Sequence, residues 1–146
     1  MGWTNSHLHQ FNDGSCVYSQ KEFNLEGCKN SRVISLNKIL KKPKERILYE
    51  YDFGDGWEHE ILLAKIIDDD GKNQIPGCIA GKRNCPPDDC GGIWGYKNLL
   101  SIISDKNNDE YEEMMEWLGE KFDPEHFSMV EINKLLKKKD FGCISL

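Results

Sequence analysis

The clearest pattern of apolar and polar positions lies between residues 45 and 67. The runs RILYEYDF and WEHEILLAKII alternate apolar and polar residues, which is typical of half-buried strands. They flank Gly-Asp-Gly, so the pattern predicts a β-hairpin. A loop over residues 54–56 places Tyr51 opposite His59 on an aromatic and aliphatic face, and it requires Gly56 in the left-handed conformation.

The opposite face of this hairpin is acidic. In the same register Asp52 lies opposite Glu58, and Glu50 lies opposite Glu60. Directly opposed like charges destabilise a strand pair. Either solvent, salt and nearby Lys or Arg side chains offset the repulsion, or the carboxylates bind a divalent cation or a basic partner.

The N-terminal third has weaker signals. Residues 7–11, HLHQF, alternate as a strand would, and the turn sequence NDGS follows. Residues 19–31 are polar and predict a loop. A short helix is expected from Ser35, whose hydroxyl suits an N-cap, to a stop before Pro43.

The C-terminal half has helical spacing. Helices are predicted to begin near Gly95, Asp109 and Ser128, the last with a capping Ser and a Glu three residues later. Strands come first and helices last, so the predicted class is α+β. We expect an antiparallel sheet with a central β-hairpin, packed by the C-terminal helices.

Composition limits the classes of function. The chain has 146 residues, which suits one domain, and its 38% apolar and 30% charged content is that of a soluble protein. No leader or membrane-spanning run is visible, which favours the cytoplasm. The net charge of −6 opposes broad nucleic-acid binding, although lysines at 41–44 and 137–139 form two local basic patches. Such runs also complement helix dipoles.

Three of the six cysteines cluster in CIAGKRNCPPDDCGGIWGY, at Cys78, Cys85 and Cys90. With His59 as a fourth ligand they would suit zinc, although their spacing is looser than that of paired zinc-ribbon cysteines. The alternative is a set of packed thiols in a reducing compartment. The following glycines suit either a helix entrance that holds an anion or a rigid connection whose aspartates cap local amides.

Five segments resemble one family in the same order: GWTNSHLHQF, YEYDFGDGWEHEI, PGCIAGKRNCPPDDCGGIWGY, WLGEKFDPEHFS and EINKLL. They are similar to the plasmid pRiA4b ORF-3-like family, also labelled insertion-sequence passenger or TnpR-like. The resemblance implies a compact α+β domain without an established activity. In the family a strand and a helix precede it, and Met1 falls where that helix should be ending, so we expect either a start assigned too late or a shortened copy. It marks these signature residues: Trp3, His7, His9, Asp52, Gly54, Asp55, Trp57, His59, Pro86, Pro87, Asp88, Asp89, Gly91, Gly92, Gly95 and Tyr96.

The sequence therefore predicts a noncatalytic accessory or interaction domain linked to plasmids or mobile elements. One alternative is a metal-dependent hydrolase or nuclease that uses the acidic hairpin and the Cys/Asp loop with zinc or another divalent cation. Another is a nucleic-acid-binding accessory protein. The expected partner is a protein or a second copy, because loss of the leading strand would leave the strand at 7–11 with an unpaired edge.

Overall fold

The structure, a computed structural model, describes residues 2–68, 71, 75–119 and 122–143. The chain divides into two compact units. We call residues 7–70 the sheet unit, and residues 1–6 together with 71–146 the helical unit. The predicted α+β class is confirmed, since the described residues form a five-stranded sheet and four α-helices.

The sheet is mixed rather than wholly antiparallel. Its strands run in the order β3-β2-β1-β4-β5, and only the β2–β3 pair among them is parallel. Strand β1 pairs with both β2 and β4, so the predicted unpaired edge at residues 7–11 is wrong. The strands are β1 (His9–Asn12), β2 (Val17–Ser19), β3 (Lys29–Asn30), β4 (Arg46–Tyr51) and β5 (Trp57–Leu62).

The predicted hairpin is β4 and β5, but its register and position differ from the prediction. Tyr51 pairs with Trp57, and Tyr49 pairs with His59, so the loop comprises residues 52–56. Asp52 leaves the ladder in the left-handed region, with φ of 56°, and its carbonyl accepts a 2.6 Å hydrogen bond from the Gly56 amide. In the described sheet β5 is an edge strand, so the hairpin is not central.

The acidic face changes with the register. Glu50 lies opposite Glu58, and Glu60 lies opposite Leu48. Two polar contacts offset the charges: the Gln10 amide donates to Glu50 at 2.7 Å, and Arg46 donates to Glu60 at 2.7 Å. Arg46 therefore offsets the charge of Glu60, whereas Glu50 gains a hydrogen bond from a neutral amide. Binding of a cation or a basic partner at this face stays a prediction.

The other face of the hairpin is buried, as its alternation predicted. Ile47, Tyr49 and Tyr51 follow one another along β4 at every second position, and Trp57 joins them from β5. Short 3-10 helices and the two-residue strand β3 occupy the segment predicted as a loop. Elements this short carry no periodicity that a sequence pattern can reveal.

The helices are α1 (Leu36–Ile39), α2 (Gly92–Ser104), α3 (Tyr111–Leu118) and α4 (Met129–Leu135). Helix α2 begins at Gly92 rather than at the predicted Gly95. The predicted cap of α4 is confirmed, because the Ser128 hydroxyl accepts from the Glu131 amide at 3.3 Å. Among the helices of the described residues, none combines the length and apolarity needed to cross a membrane.

Candidate functional site

A cleft of about 300 Å³ in the helical unit is lined by the N-terminal segment and the cysteine loop. We call it the Asp88 cleft. Among the described residues that line it, Asp88 alone carries a charge. The lining is otherwise apolar or neutral: Gly2, Trp3, Thr4, Asn84, Cys85, Pro86, Pro87, Leu118 and Phe122. The cleft therefore combines one carboxylate with aromatic and proline surfaces.

Two hydroxyl groups are directed at Asp88. The Thr4 hydroxyl donates to Oδ2, and the Ser6 hydroxyl donates to the same oxygen at 3.2 Å. Asp88 is half-buried, and the two hydroxyl contacts orient its carboxylate within the cleft.

Cys85 is packed in the wall of the cleft. A Cβ placed on Gly2 would lie 2.5 Å from the Cβ of Cys85, and Gly2 has φ of +109°, so both space and backbone favour glycine there. Burial raises the pKa of the Cys85 thiol to about 12, and the Asp88 carboxylate adds to this effect. The thiol of the metal-free chain is therefore protonated at neutral pH, which is not the nucleophilic form.

The other two thiols of the predicted zinc site have different surroundings. Cys78 is fixed by its backbone, since the Asn133 amide accepts from its N–H and donates to its carbonyl, both at 2.8 Å. Cys90 lines a second cavity of about 290 Å³ beside Leu99 and Trp117. Among the described residues, these three thiols do not gather into one ligand group.

His59, the fourth proposed ligand, lies in the sheet unit on β5. Its Nδ1 is 3.2 Å from the Tyr49 carbonyl oxygen, and its ring lies against the Tyr49 ring at 5.5 Å. These contacts fit a histidine at the rim of the aromatic face. Zinc binding by the four residues stays a prediction.

The backbone conformation of the loop explains why glycines follow Cys90. Asp89, Gly91 and Gly92 all have positive φ, of 60°, 84° and 65°. Gly91 is the N-cap of α2, and its carbonyl accepts from the Gly95 amide at 3.0 Å. The loop therefore turns sharply into the helix, which favours the rigid-connection interpretation of the sequence.

The hairpin loop is organised around Asp52. This residue is buried, its amide donates to the Leu8 carbonyl at 2.9 Å, and its Oδ1 accepts from the Gly54 amide at 3.0 Å. The same oxygen lies 3.4 Å from the Asp55 amide, and Oδ2 lies 3.6 Å from Nδ1 of His7. Asp52 therefore stabilises the turn.

His9 is a further buried titratable group of the sheet unit. Its Nδ1 is 3.3 Å from the His7 carbonyl oxygen, and its Nε2 is 3.1 Å from the Gln20 amide nitrogen. Burial lowers the pKa of His9, and the charge of Arg32 lowers it further. The neutral imidazole, with Nδ1 as donor and Nε2 as acceptor, satisfies both contacts.

Comparison with known proteins shows the family to which the chain belongs. A family model described as plasmid pRiA4b ORF-3-like protein matches residues 1–131. The chain belongs to this family. An uncharacterized protein, y4hQ, from Sinorhizobium fredii is 32% identical over 137 residues, which is 92% of this chain and 70% of that protein.

A solved relative of the plasmid pRiA4b ORF-3-like chain has the same fold. It is a protein of unknown function, MM3350, from Methanosarcina mazei Go1. The TM-score is 0.77 at 31% identity, and the match covers 88% of this chain and 74% of that one. The family assignment made from the five sequence segments is thereby confirmed.

Most of the family signature falls into two local groups. Trp3, Pro86, Pro87 and Asp88 line the Asp88 cleft, and Tyr96 lies nearby in α2 with its ring 6.3 Å from that of Phe122. Burial raises the pKa of Tyr96, which keeps its hydroxyl protonated. His7, His9, Asp52, Gly54, Asp55 and Trp57 belong to the hairpin and to the segment that pairs with it.

Sequence reasoning did not single out three residues with roles near the site. Thr4 and Ser6 donate to Asp88, and Asn133 holds the backbone of Cys78. Their roles depend on partners 84, 82 and 55 positions away in the chain. The cluster of small hydroxyl residues beside Trp3 was the one signal present.

Proposed function

We propose that the protein is a noncatalytic interaction domain whose Asp88 cleft receives a segment of a partner protein that carries a cationic group. The observation that carries this proposal is the composition of the cleft. Two prolines and two aromatic side chains line the cleft together with Asp88, which is the one charged residue among the described residues of the lining. Aromatic and proline surfaces suit a peptide segment, and a lone oriented carboxylate suits a Lys, Arg or N-terminal ammonium group.

The chemistry of the lining supports binding rather than covalent catalysis. Cys85 is held as a neutral thiol, because burial raises its pKa to about 12. Asp88 accepts from the Thr4 and Ser6 hydroxyls, which orient it as an acceptor.

The setting of the protein is part of the proposal. The family description names a plasmid reading frame, which supports an association with mobile elements. All six cysteines are free thiols, which suits a reducing cytoplasm.

The lysine patch at residues 41–44 has a local structural contact. The backbone amides of Lys41 and Lys42 both donate to the Glu45 carboxylate. That contact supports a structural turn there.

Photo-crosslinking in the source cells tests the proposal. A benzophenone amino acid replaces Phe122, which lines the cleft, or Phe141, which is 52% exposed and is not among its lining residues. We expect one protein to be crosslinked from position 122 and not from position 141. With that protein purified, Asp88→Asn should weaken binding by about tenfold or more, because an isosteric amide removes the charge. Asp109→Asn, at an exposed position, is the matched control.

Three results would contradict the proposal. They are equal crosslinking from the two positions, unchanged affinity of Asp88→Asn, and turnover of the captured molecule by the purified protein. Tight stoichiometric binding of a divalent cation would favour the hydrolase alternative. Retention of DNA with a steep dependence on salt would favour the nucleic-acid alternative.

A further inference from the structure

The outer edge of the sheet is open along β5. Among the described residues, β5 pairs with β4 on one side and with no strand on the other. Edge strands are commonly blocked by a proline, by a bulge or by their short length. Strand β5 has none of these features, because its six residues include no proline and its register with β4 skips no residue.

A backbone hydrogen bond identifies the groups that face this open edge. The Leu63 amide, directly after β5, donates to the Glu45 carbonyl at 3.0 Å, so it points toward the side of β4. Backbone polar groups alternate in direction along an antiparallel strand, so those of Glu58, Glu60 and Leu62 point away from β4. The edge therefore offers the N–H and C=O groups of three residues to a further strand.

Exposed apolar side chains continue past the end of β5. Leu62 is 46% exposed, and Ile66 and Ile67 are 64% and 68% exposed. They belong to the run LLAKII, of which residues 63–67 form no helix or strand. Exposed aliphatic residues beside an open sheet edge are typical of a surface that pairs with another strand.

From this edge we propose that the chain forms a dimer in which residues 58–66 of two copies pair as antiparallel strands. The two-fold axis passes beside Leu62, so this residue lies opposite its counterpart in the second copy. Each residue that precedes Leu62 then lies opposite the one that follows it by the same number of positions. Because even-numbered residues face the edge in both copies, their N–H and C=O groups meet.

The side chains of the segment are self-complementary in this register. Glu58 lies opposite Ile66, and Glu60 lies opposite Ala64, so each carboxylate side chain meets an aliphatic neighbour and not a like charge. Leu62 meets its own counterpart at the axis. An interface between two identical copies requires such self-complementarity, which is why a second copy is the occupant that we propose.

The charges of the segment also disfavour neighbouring registers. An axis beside Glu60 would place the two Glu60 side chains opposite each other. An axis beside Ala64 would place Asp68 opposite Glu60. Directly opposed like charges destabilise a strand pair, so the axis beside Leu62 is preferred.

Sedimentation equilibrium of the whole chain over a range of concentrations tests the proposal. We expect a reversible dimer with a Kd in the micromolar range, because one strand pair is a small interface. Leu62→Lys places two like charges at the axis and should raise the Kd by about tenfold or more. Val33→Lys, at an exposed aliphatic residue elsewhere in the sheet unit, is the matched control and should leave the Kd unchanged.

A mixture of two variants tests the position of the axis. Leu62→Lys and Leu62→Glu should each be mainly monomeric alone. Mixed together they should form a heterodimer with a Kd about tenfold or more below that of either homodimer, because the opposed residues carry opposite charges. Leu62 is nearly half exposed, so both variants should fold, and matching circular dichroism spectra check this.

Hydrogen exchange locates the interface. Amides of residues 58, 60 and 62 should exchange more slowly in concentrated than in dilute wild-type protein. A wild-type chain that stays monomeric at its highest soluble concentration would overturn the proposal, as would an unchanged Kd in Leu62→Lys or a mixture that does not associate. Protection of these amides in a monomer only after another protein is added would assign the edge to that protein instead.

Discussion

The carbonyl oxygen of Cys90 occupies the space that a side chain at Gly95 would need. A Cβ built on Gly95 would lie 1.9 Å from that oxygen and 2.9 Å from its carbon. Both atoms belong to backbone, so neither moves without distorting the turn that leads into α2. Gly95 is thus required for close approach of the loop to the helix.

Gly95→Ala should therefore destabilise the protein by about 1–3 kcal/mol through overpacking, despite the higher helix propensity of alanine. Urea unfolding followed by circular dichroism measures this. Ser101→Ala, at an exposed position of the same helix, is the control and should change stability by less than about 0.5 kcal/mol. An alanine at position 95 that stabilised the protein would mean that the loop relaxes without cost.

The hairpin shows which features of a strand pair can be predicted from the alternation of apolar and polar residues. Alternation identified both strands and the buried face, because moving a register by two residues returns every side chain to the same face. Alternation does not distinguish a register with Tyr51 opposite His59 from a register with Tyr51 opposite Trp57. The choice depends on Asp52, whose left-handed backbone and carboxylate contacts lengthen the loop, and no alternation pattern encodes such a local hydrogen bond.

Two neighbouring glutamates on β5 should respond in opposite directions to neutralisation. Glu58 lies opposite Glu50, so Glu58→Gln should stabilise the protein by a few tenths of a kcal/mol. Glu60 pairs with Arg46, and both side chains are more than half exposed, so Glu60→Gln should cost only about 0–1 kcal/mol. Both effects should shrink in high salt. Urea titrations at low and high ionic strength check them, and equal signs for the two variants would contradict the observed register.

The site was less predictable than the fold. The sequence singled out Pro86, Pro87, Asp88 and the glycines as unusual, and the structure places the first three in one cleft. The clustering of three cysteines suggested zinc or packed thiols, and a sequence pattern does not report burial, which bears on that choice. The decisive property of Cys85 is its packing against Gly2, which lies more than eighty positions away in the chain.

Cys85 should behave as a packed thiol. Cys85→Ser should destabilise the protein by about 1–2 kcal/mol, because a hydroxyl would be buried without a designed partner. Cys143→Ser, at the exposed cysteine, should have little effect. A chelator should leave the melting temperature unchanged, as measured by scanning calorimetry. Stoichiometric zinc in protein purified without added metal, together with a chelator-induced fall in melting temperature, would show that the thiols bind metal.

His9 should make stability depend on pH in the mildly acidic range. Its folded-state pKa lies below the ordinary value of 6.5, mainly because of burial, so the unfolded chain binds more protons between these two values. The contribution of His9 to the free energy of unfolding is therefore complete above pH 6.5 and is lost as the pH falls below that value. His126 has the opposite sign: Glu131 raises its pKa, so its contribution is present below pH 6.5 and is lost as pH rises through the raised value.

The free energy of unfolding should accordingly fall between pH 7 and pH 5 in the wild type, and His9→Gln should flatten this decline even if it lowers stability throughout. His126→Gln should not flatten it, because that exposed group acts in the other direction. Asp13 and Glu45 have lowered pKa values and lose their contributions only below about pH 4.5, outside this window. Urea titrations across the range, with NMR titration of the imidazole signals, measure both effects. A decline in His9→Gln as steep as in the wild type would assign the pH dependence to other groups.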